Sequence, residues 1–168
     1  MISANDLGSD SNTRIDTTSS GDAAATSADT WVTTWQNWSG TTSSDPRLGH
    51  VLWGPGGAGP SVVSFADGDD HPYWTFHVVV PANQTRILLH FVTGQPSKAA
   101  ARAKAAQLAA NPLTANAAAC LTEQERTELV NFAGAVAEAK IPAVGRTGLL
   151  ALVAAIAAAG FFAHRRVV

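Results

Sequence analysis

Several runs of this chain alternate in polarity with a period of two, and that alternation constrains the fold more than any other feature. In ADTWVTTWQNW, Trp31, Thr33 and Trp35 fall on one side and Val32, Thr34 and Gln36 on the other. YWTFHVVV sets Trp74, Phe76, Val78 and Val80 against Tyr73, Thr75, His77 and Val79. TRILLHFV sets Ile87, Leu89 and Phe91 against Leu88, His90 and Val92. GHVLWGP and SVVSF are shorter runs that stop at the turn dipeptides Gly54-Pro55 and Asp67-Gly68. A strand sends successive side chains to opposite faces, so each run predicts a strand with one face inward. PANQ, between the last two long runs, has the length of a hairpin connection. Residues 1–96 are therefore expected to form an antiparallel β-sandwich. Strand-like sequence begins almost at once, so this region reads as N-terminally incomplete, a piece of a larger protein.

After Gln95-Pro96 the pattern changes to a two-helix collar over residues 97–134. Ser97 can N-cap a helix through KAAARAKAAQLAA that Asn111-Pro112 stops. Thr122 and Glu125 form a Thr-x-x-Glu capping box for a second helix, with Leu129, Phe132, Ala133 and Val136 as its apolar stripe. Residues 135–146 read as a linker.

The run Thr147–Ala163 carries no charge. Seventeen residues at helical rise span about 25 Å, close to the hydrocarbon core of a bilayer. It lacks the polar face that a surface helix of a small domain needs. The expectation is a C-terminal transmembrane helix over 147–163, with Arg146 and His164 at its ends and a basic cytoplasmic end over 164–168. By the positive-inside bias Arg165 and Arg166 stay in the cytoplasm and everything before Ile141 lies outside it.

Ile141-Pro142, then Gly148, an apolar helix and a terminal Arg pair resemble the IPTL/PEP class of bacterial C-terminal sorting tails. Ala143-Val144 stand where that class has Thr-Leu, and Thr147 where an aromatic is common. The resemblance implies sorting or cleavage by an exosortase-like membrane enzyme, with Ile141, Pro142 and Gly148 as the motif and Arg146, Arg165 and Arg166 orienting the segment. The stretch from PANQTRILLHFV through LTEQERTELVNF also resembles a β-then-helix module of bacterial surface proteins, for which no activity is implied.

Charge divides the chain. Residues 1–97 hold nine Asp, three Arg and neither Lys nor Glu, about −6; residues 98–168 come to about +4. An acidic Thr/Ser/Trp-rich β region suits an exported domain and offers no basic face, so nucleic acid is not expected as a partner. The single cysteine, Cys120, excludes an internal disulfide and reads as a small packed residue in an Ala-rich stretch. MISANDLGSD has neither the basic nor the apolar region of an export signal, so the chain reads as the C-terminal piece of a longer precursor or else as tail-anchored.

Few residues suggest chemistry. ADGDDHP places Asp67, Asp69 and Asp70 on a turn, which a hard cation such as Ca²⁺ could use and which an ordinary Asp-Gly turn would also produce. His77 and His90, with His50, are metal candidates only if the fold gathers them. GPGGAGP lacks a following Gly-Lys-Ser/Thr and reads as a flexible inter-strand loop. Trp31, Trp35 and Trp38 are either core or an exposed platform for an extracellular sugar or peptide.

The fold expected is thus mainly β, an antiparallel sandwich with two appended helices and a C-terminal transmembrane helix. The function expected is a non-enzymatic, surface-displayed or secreted module of a larger exported bacterial protein, at the cell envelope and with the membrane as partner. The alternative is a fragment of a secreted carbohydrate-active or metal-dependent enzyme.

Overall fold

The computed structural model describes residues 2–4, 7, 11–39, 41–42, 45–112 and 117–132. The linker 135–146, the apolar run 147–163 and the basic end 164–168 lie outside the described residues. With them go Ile141, Pro142, Arg146, Gly148, Arg165 and Arg166, together with Ala133 and Val136. Among the described residues no helix is long and apolar enough to cross a membrane.

The protein is mainly antiparallel sheet with two short helices. In chain order the elements are β1 (Ile2–Ala4), β2 (Thr13–Thr18), β3 (Trp31–Trp38), β4 (Thr41–Thr42), β5 (Arg47–Val51), β6 (Val62–Ser64), β7 (Tyr73–Thr75), β8 (Phe91–Gln95), α1 (Lys98–Ala110) and α2 (Glu123–Thr127). Among them β2, β3, β5 and β8 line up as a larger sheet with β4 attached to β3, and β1, β7 and β6 form a smaller one.

The central strand β3 is covered on both faces, where its alternation predicts only one face inward. Val32 joins Ile15, Leu52, Phe65, Trp74 and Phe76 in a core shared by the two sheets. Trp31, on the other face, packs against a second core formed by Val51, Leu108, Ala109, Leu129 and Phe132. The helix α1 can lie close to the sheet because its buried positions Ala101, Ala105, Leu108 and Ala109 are mostly small. Opposite them is Gly49, where an added Cβ would stand 3.2 Å from the Ala105 Cβ and 3.3 Å from the Ala101 carbonyl. The start of α1 is tied down by charge. Asp16, passed over where the β2–β3 register shifts between Ile15 and Thr17, takes a forked pair of hydrogen bonds from Arg102 at 2.6 and 2.8 Å.

Both helix starts fall where the sequence places them. The Ser97 side chain accepts from the Ala100 N–H, and α1 ends at Asn111. Thr122 and Glu125 form the reciprocal capping box. The second helix, however, is only five residues long. Ile87 N–H donates to the Glu128 carbonyl and Val130 N–H to the Ile87 carbonyl, a parallel bridge that draws the chain out of helical geometry. Leu129 and Phe132 are buried as expected, but from a bridge and the turn after it and not from a helical stripe.

Three further expectations are corrected. The runs either side of PANQ do not form a hairpin: β7 pairs with β1 and β6, whereas β8 pairs with β5. Phe76 still enters the inter-sheet core, but His77, Val79 and Val80 are exposed, and Asn83 at φ 61 turns the chain away before β8. GPGGAGP is a tight crossing, since Gly54 N–H and Ala58 N–H donate to the Asn131 and Val130 carbonyls. A Cβ on Gly57 would stand 2.0 Å from the Asn131 carbonyl oxygen, so only glycine permits the approach. Cys120 is exposed; Ala118 takes the buried position of that turn.

The residue that closes this crossing is Asn131, 1 % exposed. Its Nδ2 donates to the Leu52 carbonyl at 2.7 Å and the Leu89 carbonyl at 2.6 Å, and its Oδ1 accepts the Leu89 N–H at 2.9 Å. Asn131→Ala strands those backbone groups in a buried site, at about 1–3 kcal/mol for each one left unsatisfied. We therefore predict a loss of about 3 kcal/mol in urea unfolding with an unchanged m-value. A loss below about 0.5 kcal/mol would show that these groups find other partners.

Candidate functional site

The positions of β3 that face away from α1 end at a recess. Thr34, Gln36 and Trp38 line it together with Trp35, Leu7, Asp45, Pro46 and Leu48, around a volume of about 360 Å³. Leu48 is there because β5 pairs it directly with Thr34. Gln36 is buried, and its amide is oriented by two acceptors: Nε2 donates to the Leu7 carbonyl at 2.8 Å and to Thr13 Oγ1 at 2.9 Å. Its Oε1 has no hydrogen-bond partner. Trp38 is 46 % exposed at the mouth, where its indole N–H donates to Asp45 at 3.4 Å. The recess thus joins an aromatic wall and apolar sides, with the Gln36 Oε1 itself buried.

The tryptophan trio does not form one platform. Trp31 is packed toward α1 and lines a separate cleft of about 260 Å³ with Trp53 and Pro55. Trp35 carries the Lys98 ammonium 3.4 Å from its ring centroid. Trp38, the last residue of β3, has the opposite parity and is 46 % exposed, whereas Trp31 and Trp35 are half-buried.

ADGDDHP brings together Asp69, Asp70 and His71, whose ligand atoms lie within 4.8 Å of one another. Asp67 is drawn elsewhere: Gly68, at φ +85, reverses the chain, and the Asp67 carboxylate accepts the Ile15 N–H at 2.7 Å. The turn lies along the free edge of β2, with Gly68 N–H on the Thr13 carbonyl and Ser11 N–H on the Gly68 carbonyl. Covering an edge in this way removes a template for unwanted strand pairing. Within the turn, Asp69 accepts the His71 N–H at 2.9 Å and the buried Asp70 pairs with His71 Nδ1.

Of the candidate histidines, His50 and His90 come together and His77 does not, being exposed beyond the end of β7. His50 is fully buried, with Nε2 3.2 Å from Thr34 Oγ1. The His90 ring meets Trp74 edge-on at 6.4 Å. His50 Nδ1, His90 Nε2 and Trp74 Nε1 have no hydrogen-bond partners. Burial first, and then the neighbouring His90, pushes the His50 imidazole down to about 3. Burial pushes His90 down to about 4. Both are neutral at physiological pH.

Sequence reasoning passed over Asp29, a fully buried carboxylate. It accepts from Ser19 Oγ, Ser20 N–H, Thr26 N–H and Thr26 Oγ1 at 2.8–3.1 Å. Burial pushes this carboxyl up, but the bonds from Thr26 and Ser20 outweigh it and hold it below the usual range. The signal was present as Thr-x-x-Asp beside Ser19-Ser20, a polar cluster before a strand.

The chain matches no protein-family model, no curated protein and no solved structure.

The histidine pair makes stability pH-dependent with a definite sign. Unfolded imidazoles titrate near 6.5, the folded ones at about 4 and about 3. Below 6.5 the unfolded chain holds more protons than the folded one, so stability falls as pH falls, by up to about 1.4 kcal/mol per pH unit for each histidine. Depressed carboxylates such as Asp29 add their loss only below ~4. Urea unfolding between pH 7.5 and 4.5 should show this slope, and His90→Gln should reduce it by about one proton. A pH-independent stability across that window would overturn the assignment.

Proposed function

We propose that this chain is a non-enzymatic β module of an exported bacterial protein, displayed outside the cytoplasm and held in the membrane by residues 147–163. The observation that carries the reading is the uncharged run Thr147–Ala163, bracketed by Arg146 and by His164-Arg165-Arg166. It follows a compact unit, Met1–Val136, that holds all the described residues. Such a run is long enough to cross most of a bilayer, and the terminal Arg pair resists translocation. The module itself supports display. Its polar residues are spent on architecture, as Asp29 and Asn131 show, and its first 97 residues contain no lysine or glutamate. Ile141-Pro142 and Gly148 are the sorting motif in this reading, and an exosortase-like enzyme is the processing partner.

The test is a reporter, carrying its own export signal, fused before the complete tail from Lys140 and followed by fractionation and gel mobility. The fusion should be membrane-bound. Neutral residues at Arg165 and Arg166 should weaken retention, since each arginine resists the bilayer centre by ~2.5–3.5 kcal/mol. Changing Pro142 should leave insertion intact and abolish any cleavage. A full-length, soluble fusion would defeat the reading.

A further inference from the structure

We propose that His50 and His90 form an acid-operated latch between the two sheets: protonating them frees the small sheet, β1, β7 and β6, from the larger one, while α1 stays packed on the larger sheet's other face.

Three observations place the latch. His50 on β5 pairs directly with Val32 on β3, and directly opposed residues share a face, so its ring lies on the side of the inter-sheet core. His90, just before β8, meets the ring of Trp74 on β7 edge-on at 6.4 Å. His50 Nδ1, His90 Nε2 and Trp74 Nε1 are buried there without hydrogen-bond partners. A second proton on either ring adds a charge and makes the bare nitrogen a donor, and an unpaired buried charge costs far more than an unpaired nitrogen.

No counter-ion faces the pair. β3, β7 and β8 contain no charged residue, and Arg47, the charged residue of β5, has the opposite parity to His50. The depression of His50 comes from burial and then from His90, and that of His90 from burial alone. Asp67, Asp69, Asp70 and His71 stand on the turn before β7, where Asp70 and His71 pair with each other. His77 is exposed beyond β7. Lys98, Arg102 and Lys104 belong to α1, which lies over Gly49 on the opposite face.

The small sheet is the part that can let go. Its strands are three residues each, and Phe65, Trp74 and Phe76 are the buried side chains it and its flanks bring to the inter-sheet core. The second core, with Val51, Leu108 and Phe132, lies on the other face and keeps α1 in place. Elements with few buried contacts open at a lower free energy than the whole molecule. Acid favours the opened form because that form holds more protons. Opened rings titrate near 6.5 and the closed ones at about 4 and about 3. The opening constant therefore rises on the order of 10²–10³-fold between pH 7 and pH 5.

The full-length chain, held in a zwitterionic detergent, is followed by amide hydrogen exchange at pH 7 and pH 5, with intrinsic exchange rates divided out. Amides of Val62–Ser64 and Tyr73–Thr75 should show that rise. Those of Ala105, Leu108 and Ala109 should keep opening constants at least about tenfold smaller at both pH values. His90→Gln, with its fold checked by circular dichroism at pH 7, should cut the rise to roughly 25-fold. His71→Gln should leave it whole. Imidazole NMR of the unaltered chain is a second measurement that needs no variant: both rings should stay neutral down to pH 5 in the closed form. The latch is overturned if the small sheet and α1 open with equal constants at pH 5, which would mean that acid unfolds both together. It is equally overturned if pH does not move the small-sheet constants, if a folded His90→Gln keeps the full rise, if His71→Gln abolishes it, or if either closed-form ring titrates near 6.5.

Discussion

One buried amide, that of Asn131, joins chain segments that the sheets leave apart. Its three hydrogen bonds reach the carbonyl of Leu52, just past β5, and both backbone groups of Leu89, just before β8. These groups face the interior where no strand neighbour can serve them, and a buried unpaired peptide group is costly. Once Asn131 is in place, Gly54 and Ala58 pair with the backbone around it and Phe132 enters the core beneath α1. Gly54 and Gly57 of GPGGAGP follow from the same constraint, because a side chain there would occupy the space of Phe132 and Asn131.

The centre of the molecule is more polar than a small β protein needs for cohesion. Thr33, Thr34, Gln36 and His50 are buried on or beside β3, and Asp29 is buried just before it. Each polar group adds directionality that apolar packing lacks, and most of the groups meet here are satisfied by short-range partners. Asp29 collects four donors from the loop that leads into β3. Thr34 holds one imidazole nitrogen of His50. The exceptions include the Gln36 carbonyl oxygen, His50 Nδ1 and His90 Nε2.

Strand parity links this interior to the recess. The face of β3 that carries Val32 into the inter-sheet core carries Thr34 and Gln36 to the recess and then Trp38 to its mouth. Beyond Trp38 the chain turns at Ser39, with φ 51, and returns as β4. The aromatic at the rim therefore takes its position from a strand whose residues Val32, Thr33, Thr34 and Gln36 are buried.

Local features were legible in the sequence because local physics sets them. The alternation of β3, the Ser97 cap, the Asn111 stop and the Thr122–Glu125 capping box depend on side chains within a few residues of the groups they serve. The division of charge and the uncharged run 147–163 are likewise properties of composition. What tertiary structure decided was partnership between distant segments. PANQ has hairpin length, yet β8 pairs with β5, because the register of a strand is set by which edge is open and which face must be buried. Leu129 and Phe132 were identifiable as core residues but not as members of a non-helical crossing, since apolar spacing cannot tell a helix from a segment captured by Ile87. Of the site, Trp38 was visible and Gln36 was only a residue on one face. The Leu7 carbonyl and the Thr13 hydroxyl hold its amide nitrogen, and the contact with Thr13 exists only once β2 and β3 are paired.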